Sequence, residues 1–171
     1  MNYRTLEFDA IAEARRQWEA HGWSAPQAMA AVTSIMRAQQ IILARVDAAL
    51  KPFDLTFARY EALVLLYFSR QGALPLGKMG DRLMLHPTSV TNIIDRLEQQ
   101  ELVRRVRHPT DRRTTLAEIT AEGRQIVESA TRATAGDIEL GIGGLSHREL
   151  DQLTKLLRKV RIDAGDFPGP S

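Results

Sequence analysis

Three segments between residues 76 and 123 constrain the fold of this chain more than any other feature. The first is short and amphipathic, because Leu76, Met79 and Leu83 recur at the spacing of one helix face. Gly80 lies in the same segment and would let a neighbouring helix approach closely. The second segment has the polar start of another helix, and the third has two runs rich in Val, Thr, Leu and Ile on either side of a turn, with imperfect alternation. We therefore expect two helices joined by a tight connection and followed by a hairpin.

The second of these helices should begin just after Leu85. His86 can cap it, and Pro87 suits its first turn, where proline costs no hydrogen bond. Apolar residues at helical spacing, from Val90 to Leu97, should face the interior. Capping explains one polar residue, but four on one exposed face indicate a helix that contacts base edges and phosphates. These four residues are Thr88, Ser89, Thr91 and Asn92.

The hairpin that follows has an unusually basic tip. Its strands, 102–107 and 114–120, are rich in Val, Thr, Leu and Ile, and the HPTDRR sequence between them indicates a turn. A charged run is usually only a solvated surface, but arginine at such a tip can enter the DNA minor groove. We therefore predict a winged helix-turn-helix that binds DNA. Between 102 and 113 one acid, Asp111, accompanies five arginines: Arg104, Arg105, Arg107, Arg112 and Arg113.

The same stretch resembles the DNA-binding core of the MarR family of bacterial transcriptional regulators. The matching strings are LHPTSVTNIIDRLE at 85–98, LVRR at 102–105, and HPTDRR followed by ITAEG within 108–123. The resemblance implies that Asp111 orients Arg113, which reaches the minor groove. Family members usually have an acid where His108 stands, so this tip is slightly more basic. The predicted DNA-binding residues are Pro87, Thr88, Ser89, Thr91, Asn92, Arg96, Arg105, Arg107, Asp111, Arg112 and Arg113.

Helices should dominate the chain before this region. The string SAPQ at 24–27 has the form of a capping box and predicts a long helix that ends before Pro52. A second helix should begin after Thr56, its cap, and run to about Arg70, with Gly72 as terminator. The apolar stripe of the long helix consists of Val32, Ile35, Met36, Ile42, Val46 and Leu50.

Two further helices should follow the hairpin. Thr120 opens the first, and Gly141, Gly143 and Gly144 should break it. A second capping box, SHRE at 146–149, opens the last helix. The apolar stripe of that helix consists of Leu150, Leu153, Leu156, Leu157 and Val160.

The stripes on the flanking helices exceed what a winged domain needs, so packing against a second copy is favoured over a monomer with a helical lid. A two-fold dimer would hold its recognition helices roughly 34 Å apart, which predicts a palindromic operator on double-stranded DNA. The expected fold is mainly α with a small β-hairpin wing, a winged helix-turn-helix flanked by long dimerisation helices. We predict dimerisation helices at 1–53 and 121–164, the DNA-binding domain at 54–120, and a disordered tail at 165–171.

Composition narrows the function further. No apolar run approaches the roughly 18 residues of a membrane span, and the N-terminus is polar and acidic, so we expect a cytoplasmic protein. Without cysteine, these 171 residues offer no disulfide, thiolate zinc site or thiol redox switch. The four histidines lack metal-binding spacing, and the GIGG string at 141–144 lacks the spacing of a phosphate-binding loop. We expect no enzyme, cofactor or metal.

The resemblance also implies a small-molecule effector. MarR-like proteins commonly bind small aromatic or phenolic anions between the dimer helices and the winged domain. Candidate lining residues are Met36, Gln39 and Gln40 on the long helix and Phe57, Tyr60, Glu61 and Leu65 on the next, although any of them could be plain core.

An amphipathic segment at 6–19 that contains Trp18 resembles the urate-responsive branch, where a Trp, an acid and an Arg hold the ligand. Trp18, Glu61 and Arg96 could fill these roles, with Glu where that branch has Asp. The alternative from another functional class is a helical scaffold protein whose winged domain binds protein.

Overall fold

The computed structural model describes residues 6–111, 113–134, 142 and 144–168. Most of these residues lie in helices. A short 3-10 turn at Lys51–Phe53 connects the second and third helices. The helices are α1 (Ala10–Ala20), α2 (Pro26–Leu50), α3 (Phe57–Tyr67), α4 (Leu76–Leu83), α5 (Pro87–Gln99), α6 (Ala121–Thr134) and α7 (His147–Asp163). The strands are β1 (Ala73–Pro75), β2 (Val103–Arg107) and β3 (Thr115–Ile119). The predicted fold, mainly α with a small wing, is confirmed. No described helix is long and apolar enough to cross a membrane.

The sheet has one strand more than the predicted hairpin. Its order is β1-β3-β2, and both pairings are antiparallel, with Leu74 opposite Ala117 and Arg104 opposite Glu118. β1 has only three residues and ends in Pro75, which is tolerated because the strand lies at the sheet edge. Such a short segment carries no alternation, and the sequence pattern could not reveal it.

One apolar core joins the winged region to parts of α2 and α6. Leu63, Leu66, Met79, Ile94 and Leu97 are fully buried at its centre. The same core continues across the predicted domain boundaries at 53/54 and 120/121. The buried residues that it takes from outside the winged region are Val46 and Leu50 from α2 and Val127 and Ala130 from α6.

Most predicted helix starts are confirmed by local hydrogen bonds. Thr120 Oγ1 accepts a bond from the Gly123 amide at 3.0 Å, and Thr56 accepts one from Arg59. Ser146 and Glu149 form a complete capping box at the start of α7. Gly80 brings α4 close to the next turn, because an added Cβ would lie 3.1 Å from the Leu85 carbonyl oxygen.

Two predicted helix ends are wrong. The N-cap of α2 is Ala25, at φ 55° and without a side-chain bond, because the chain turns where the Ser24 carbonyl accepts the Trp18 indole N–H at 2.9 Å. Ser24 therefore lies before the cap. α3 ends at Tyr67, before Arg70, because Ser69 Oγ donates to the Leu66 carbonyl at 2.7 Å.

Gly72 does not terminate α3 but directs the chain into β1. Its φ of 68° favours glycine, and its carbonyl accepts the Ile119 amide at 2.8 Å. Gly141 and Gly143, which were expected to break the following helix, lie outside the described residues, as do residues 169–171 of the predicted disordered tail.

The start of that tail is ordered against α7. Asp166 Oδ2 accepts a bond from Arg161 Nε at 2.8 Å, and the Phe167 ring lies beneath the guanidinium groups of Arg158 and Arg161. These contacts join the start of the tail to side chains five to nine residues earlier in the chain, which composition alone does not reveal.

Candidate nucleic-acid interface

The start of α5 presents a polar, exposed face. His86 is the N-cap, and its Nδ1 accepts the Thr88 amide at 3.3 Å. Val90, Ile94 and Leu97 are buried, which turns the opposite face of the helix outward. Thr91 Oγ1 donates to the Pro87 carbonyl at 3.1 Å. The four short polar residues predicted to face outward are all exposed: Thr88, Ser89, Thr91 and Asn92.

Arg105, a predicted DNA contact, joins the wing to α5. Its Nη2 lies 2.6 Å from Asp95 Oδ1, and its Nη1 pairs with Glu98 Oε2. The Arg105 amide also donates to Glu98 Oε1 at 3.0 Å. Only 26% of the Arg105 side chain is exposed. Its bonds to Asp95 and Glu98 connect β2 to α5.

The other arginines of β2 differ in their surroundings. Arg104 forms a two-pronged ion pair with Glu118, directly opposite on β3, with both N–O distances 3.0 Å. This pair lowers the pKa of Glu118 and raises that of Arg104. Arg107 is exposed at the strand end and forms no ion pair with a described residue. Arg107 is therefore the β2 arginine most available to an anionic partner.

The carboxylate of Asp111 shapes the wing tip through the backbone. Oδ1 accepts the Arg113 amide at 3.0 Å, and Oδ2 accepts the Thr114 hydroxyl at 2.6 Å. The Thr114 hydroxyl and then the Arg113 amide lower the pKa of Asp111, which keeps it ionised. Among the described residues, no hydrogen bond or ion pair joins this carboxylate to the Arg113 guanidinium, so an orienting effect of Asp111 on Arg113 would act through the Arg113 backbone. The Arg113 side chain is exposed, and Arg112 lies outside the described residues.

Sequence reasoning missed the role of His108 in the same tip. Its Nδ1 lies 3.3 Å from the Thr110 amide nitrogen and 3.2 Å from that of Asp111. Its own amide donates to the Thr114 carbonyl at 3.1 Å. The signal was present, because a side-chain acceptor two or three residues before free amides is typical of a turn.

The predicted effector residues are spread over several places. The Trp18 ring lies edge-on to Trp23, with centroids 4.8 Å apart, and Arg96 Nη1 donates to Gln99 at 3.2 Å. Burial raises the pKa of the Glu61 carboxyl. No hydrogen bond or ion pair links Trp18, Glu61 and Arg96 to one another in the described part of the chain. Met36, Gln39 and Gln40 are exposed on α2.

Three cavities lie near these residues. Arg96 lines a polar one of about 390 Å³ with Asp54 and Arg59. Tyr60, whose hydroxyl lies 2.8 Å from Thr131 Oγ1, lines an apolar one of about 330 Å³ between α3 and α6. A third, of about 360 Å³, is apolar and lies between α2 and α7. Its lining includes Ala38, Ile41, Ile42, Leu145 and Leu153.

Comparisons with known proteins agree with this geometry. The model of the MarR family matches residues 55–115. The chain is 37% identical over 108 residues to the HTH-type transcriptional regulator MhqR of Bacillus subtilis, covering 63% of this chain and 73% of that protein. It is 52% identical to the crystal structure of Sco5413, a MarR family transcriptional regulator from Streptomyces coelicolor, with a TM-score of 0.76 over 84% of this chain and 99% of that one.

A third similarity involves a bound ligand. The structure of CouR from Rhodococcus jostii, bound to p-coumaroyl-CoA, is 26% identical, with a TM-score of 0.66. The alignment covers 80% of this chain and 92% of the CouR chain.

Proposed function

The chain belongs to the MarR family and is a DNA-binding transcriptional regulator, and from this premise we propose that it is a repressor. It binds a palindromic operator as a homodimer and leaves it when a small anionic ligand binds. The observation that carries this proposal is the exposed polar start of α5 beside a wing tied to the same helix by Arg105.

Base reading is assigned to the first turns of α5. Thr88, Ser89, Thr91 and Asn92 are exposed and short enough for base edges, while Pro87 and Arg96 border them. Arg107, Asp111, Arg112 and Arg113 form the proposed wing contact, with Asp111 acting through the Arg113 backbone. Arg105 stays in the proposed set as a residue that positions the wing.

The homodimer is supported by apolar side chains that the single chain leaves exposed. On α2, Val32 is 57% and Met36 61% exposed; on α7, Leu156 is 53% and Val160 57% exposed. Burying such faces against a copy is favourable by roughly 25 cal/mol per Å² of apolar surface. We propose that residues 1–53 and 121–164 form the dimer and that 54–120 bind DNA, while the core is shared between them.

Sedimentation of Leu156→Glu tests the dimer. The carboxylate would be buried without a partner, so we expect monomers and loss of tight operator binding. Lys155→Gln is the matched control, because it shifts net charge by the same amount away from the apolar stripe. A Leu156→Glu chain that still sediments as a dimer would refute this interface.

Ligand release is supported by the similarity to CouR, whose structure contains p-coumaroyl-CoA. The apolar cavity between α2 and α7 and the residues predicted from the sequence offer candidate contacts. Those residues are Trp18, Met36, Gln39, Gln40, Tyr60, Glu61 and Arg96. Because the chain has no cysteine, its 171 residues cannot sense oxidants through a thiol.

A screen of small aromatic acids tests this proposal. A true effector should raise the melting temperature of the protein and release DNA from the promoter beside its gene at the same concentrations. Compounds that raise the melting temperature without releasing DNA would speak against effector control.

A further inference from the structure

His108 lies at the base of the wing tip, where β2 ends. Its Nδ1 lies 3.3 Å from the Thr110 amide nitrogen, 3.2 Å from the Asp111 amide nitrogen and 3.3 Å from Thr110 Oγ1. Backbone amides can only donate, so Nδ1 must supply the lone pair. These contacts therefore require a neutral imidazole whose proton is on Nε2.

The contacts of His108 lead directly to the arginine that faces DNA. His108 holds the Asp111 amide, and the Asp111 carboxylate in turn accepts the Arg113 amide at 3.0 Å. Thr114 closes the tip with two groups. Its hydroxyl donates to the Asp111 carboxylate, and its carbonyl accepts a bond from the His108 amide. The orientation of Arg113 therefore depends on an acceptor at Nδ1 of His108.

Protonation would remove that acceptor. A proton on Nδ1 could be donated to Thr110 Oγ1, but it would face the amide hydrogens of Thr110 and Asp111, which have no other described acceptor, so both amides would lose their partner. The charged residues nearest His108 in the wing are Asp111, whose carboxylate the imidazole influences electrostatically, and Arg107, its neighbour in the sequence. Asp111 favours the added charge and Arg107 opposes it, but both Asp111 oxygens are already engaged.

We propose that His108 is a positioning residue for DNA binding, and that the affinity of the wing for DNA falls as its imidazole is protonated. Histidine is the side chain whose ordinary titration falls between about pH 5 and pH 8, so a pH series over this range tests the proposal. Simple electrostatics predicts the opposite sign, because a new positive charge beside DNA should increase affinity. The sign of the pH dependence therefore separates the two explanations. The inference rests on DNA binding by the wing.

Three full-length proteins test it: wild type, His108→Asn and His108→Ala. The probe is a duplex selected from a random library by the wild-type chain at about pH 8. Asparagine supplies an acceptor that does not titrate, so His108→Asn should keep its affinity. His86 caps α5 with the same atom, but it is present in all three proteins, so any effect of pH on that cap is common to them.

At about pH 8, we expect His108→Ala to bind roughly three- to tenfold more weakly than the other two proteins, the range for one or two lost hydrogen bonds. From about pH 8 to pH 5.5, the wild type should lose roughly the same factor relative to His108→Asn. Parallel pH profiles for these two, or tighter wild-type binding in acid, would overturn the proposal. Failure of the wild type to bind any duplex at about pH 8 would instead count against DNA binding itself.

A spectroscopic measurement checks the protonation state independently of DNA. In a long-range ¹H–¹⁵N spectrum of the free protein at about pH 8, the His108 ring should show the tautomer protonated on Nε2. A ring protonated on Nδ1 at that pH would refute the acceptor role, whatever the affinities.

Discussion

Arg105 Nη2 lies 2.6 Å from Asp95 Oδ1, and this ion pair fastens β2 of the wing to the middle of the recognition helix. Glu98, one turn further along α5, engages the other guanidinium nitrogen and the Arg105 amide. Because the two carboxylates come from the helix and the cation from the strand, this cluster connects the wing directly to α5. Arg105, which the sequence predicts as a DNA contact, therefore also has a role within the protein, where it joins β2 to α5.

Removing Asp95 should weaken DNA binding. Asp95→Ala deletes a negative charge from α5, so electrostatics alone predicts tighter DNA binding, whereas loss of wing positioning predicts weaker DNA binding. We expect the second result, measured as the dissociation constant for a selected duplex at fixed salt. Tighter binding by Asp95→Ala would show that the ion pair does not position the wing.

Arg105→Ala should lower the free energy of unfolding by about 1–2 kcal/mol, since two charged hydrogen bonds are lost from a partly buried site. Arg104→Ala is the matched control, because its pair with Glu118 is largely exposed on the arginine side. The control should change the same free energy by less than about 1 kcal/mol. Urea titration of both variants measures the difference; equal losses would place Arg105 among ordinary surface pairs.

Arg113 should contribute more to operator affinity than the other described wing arginines. Arg113→Ala should cost about 1–3 kcal/mol of binding free energy, and Arg113→Lys should recover little of it. Asp111→Ala should reproduce part of the defect, because it releases the Arg113 amide and the Thr114 hydroxyl. Equilibrium binding to one duplex compares the three; an Asp111→Ala protein that binds more tightly than wild type would exclude an orienting role.

Thr91 and Asn92 should supply specificity and not general affinity. Changing both to Ala should reduce preference for the operator over random DNA while leaving nonspecific binding intact, since base contacts specify and phosphate contacts position. Both are exposed on α5, so folding should be unaffected. Competition binding measures the preference, and an unchanged ratio would remove these residues from the base-reading set.

Gly123 should be intolerant of any side chain. A Cβ there would lie 2.2 Å from the Leu102 carbonyl oxygen and 2.8 Å from Ile119 Cγ1, so α6 would have to move from the sheet. We expect Gly123→Ala to lower unfolding free energy by about 1–3 kcal/mol. Gly77→Ala is the control, with nothing within 4 Å of its Cβ, and should be neutral or stabilising. Thermal unfolding measures the stability of both variants. Equal stability would contradict the close packing of α6 at Gly123.

Glu61 should destabilise the protein near neutral pH. Burial raises the pKa of its carboxyl, so the folded state binds the proton more tightly than the unfolded state. The resulting loss of stability is present above the raised pKa and absent below the unfolded value. Glu61→Gln should therefore raise the melting temperature at about pH 7 and have little effect near pH 4. An equal gain at both pH values would assign the effect to packing.

The sequence determined the features that depend on neighbouring residues. Capping at His86, Thr120 and Ser146 uses amides two or three residues away, so a short string is enough to predict it. The apolar spacing of α4 and α5 likewise predicted which faces are buried. The exposed polar start of α5 follows from the same spacing, which is why the candidate DNA-reading residues were predicted correctly as exposed.

Tertiary structure decided the features for which a side chain or strand has several possible partners. Whether Arg105 meets phosphate or carboxylate depends on Asp95 and Glu98, which approach β2 only after α5 has docked. Likewise, β1 exists only because β3, more than forty residues later, lies beside it at Ala73–Glu118. Residue type establishes what a side chain can bind, but the partner it binds depends on distances that only the folded chain creates.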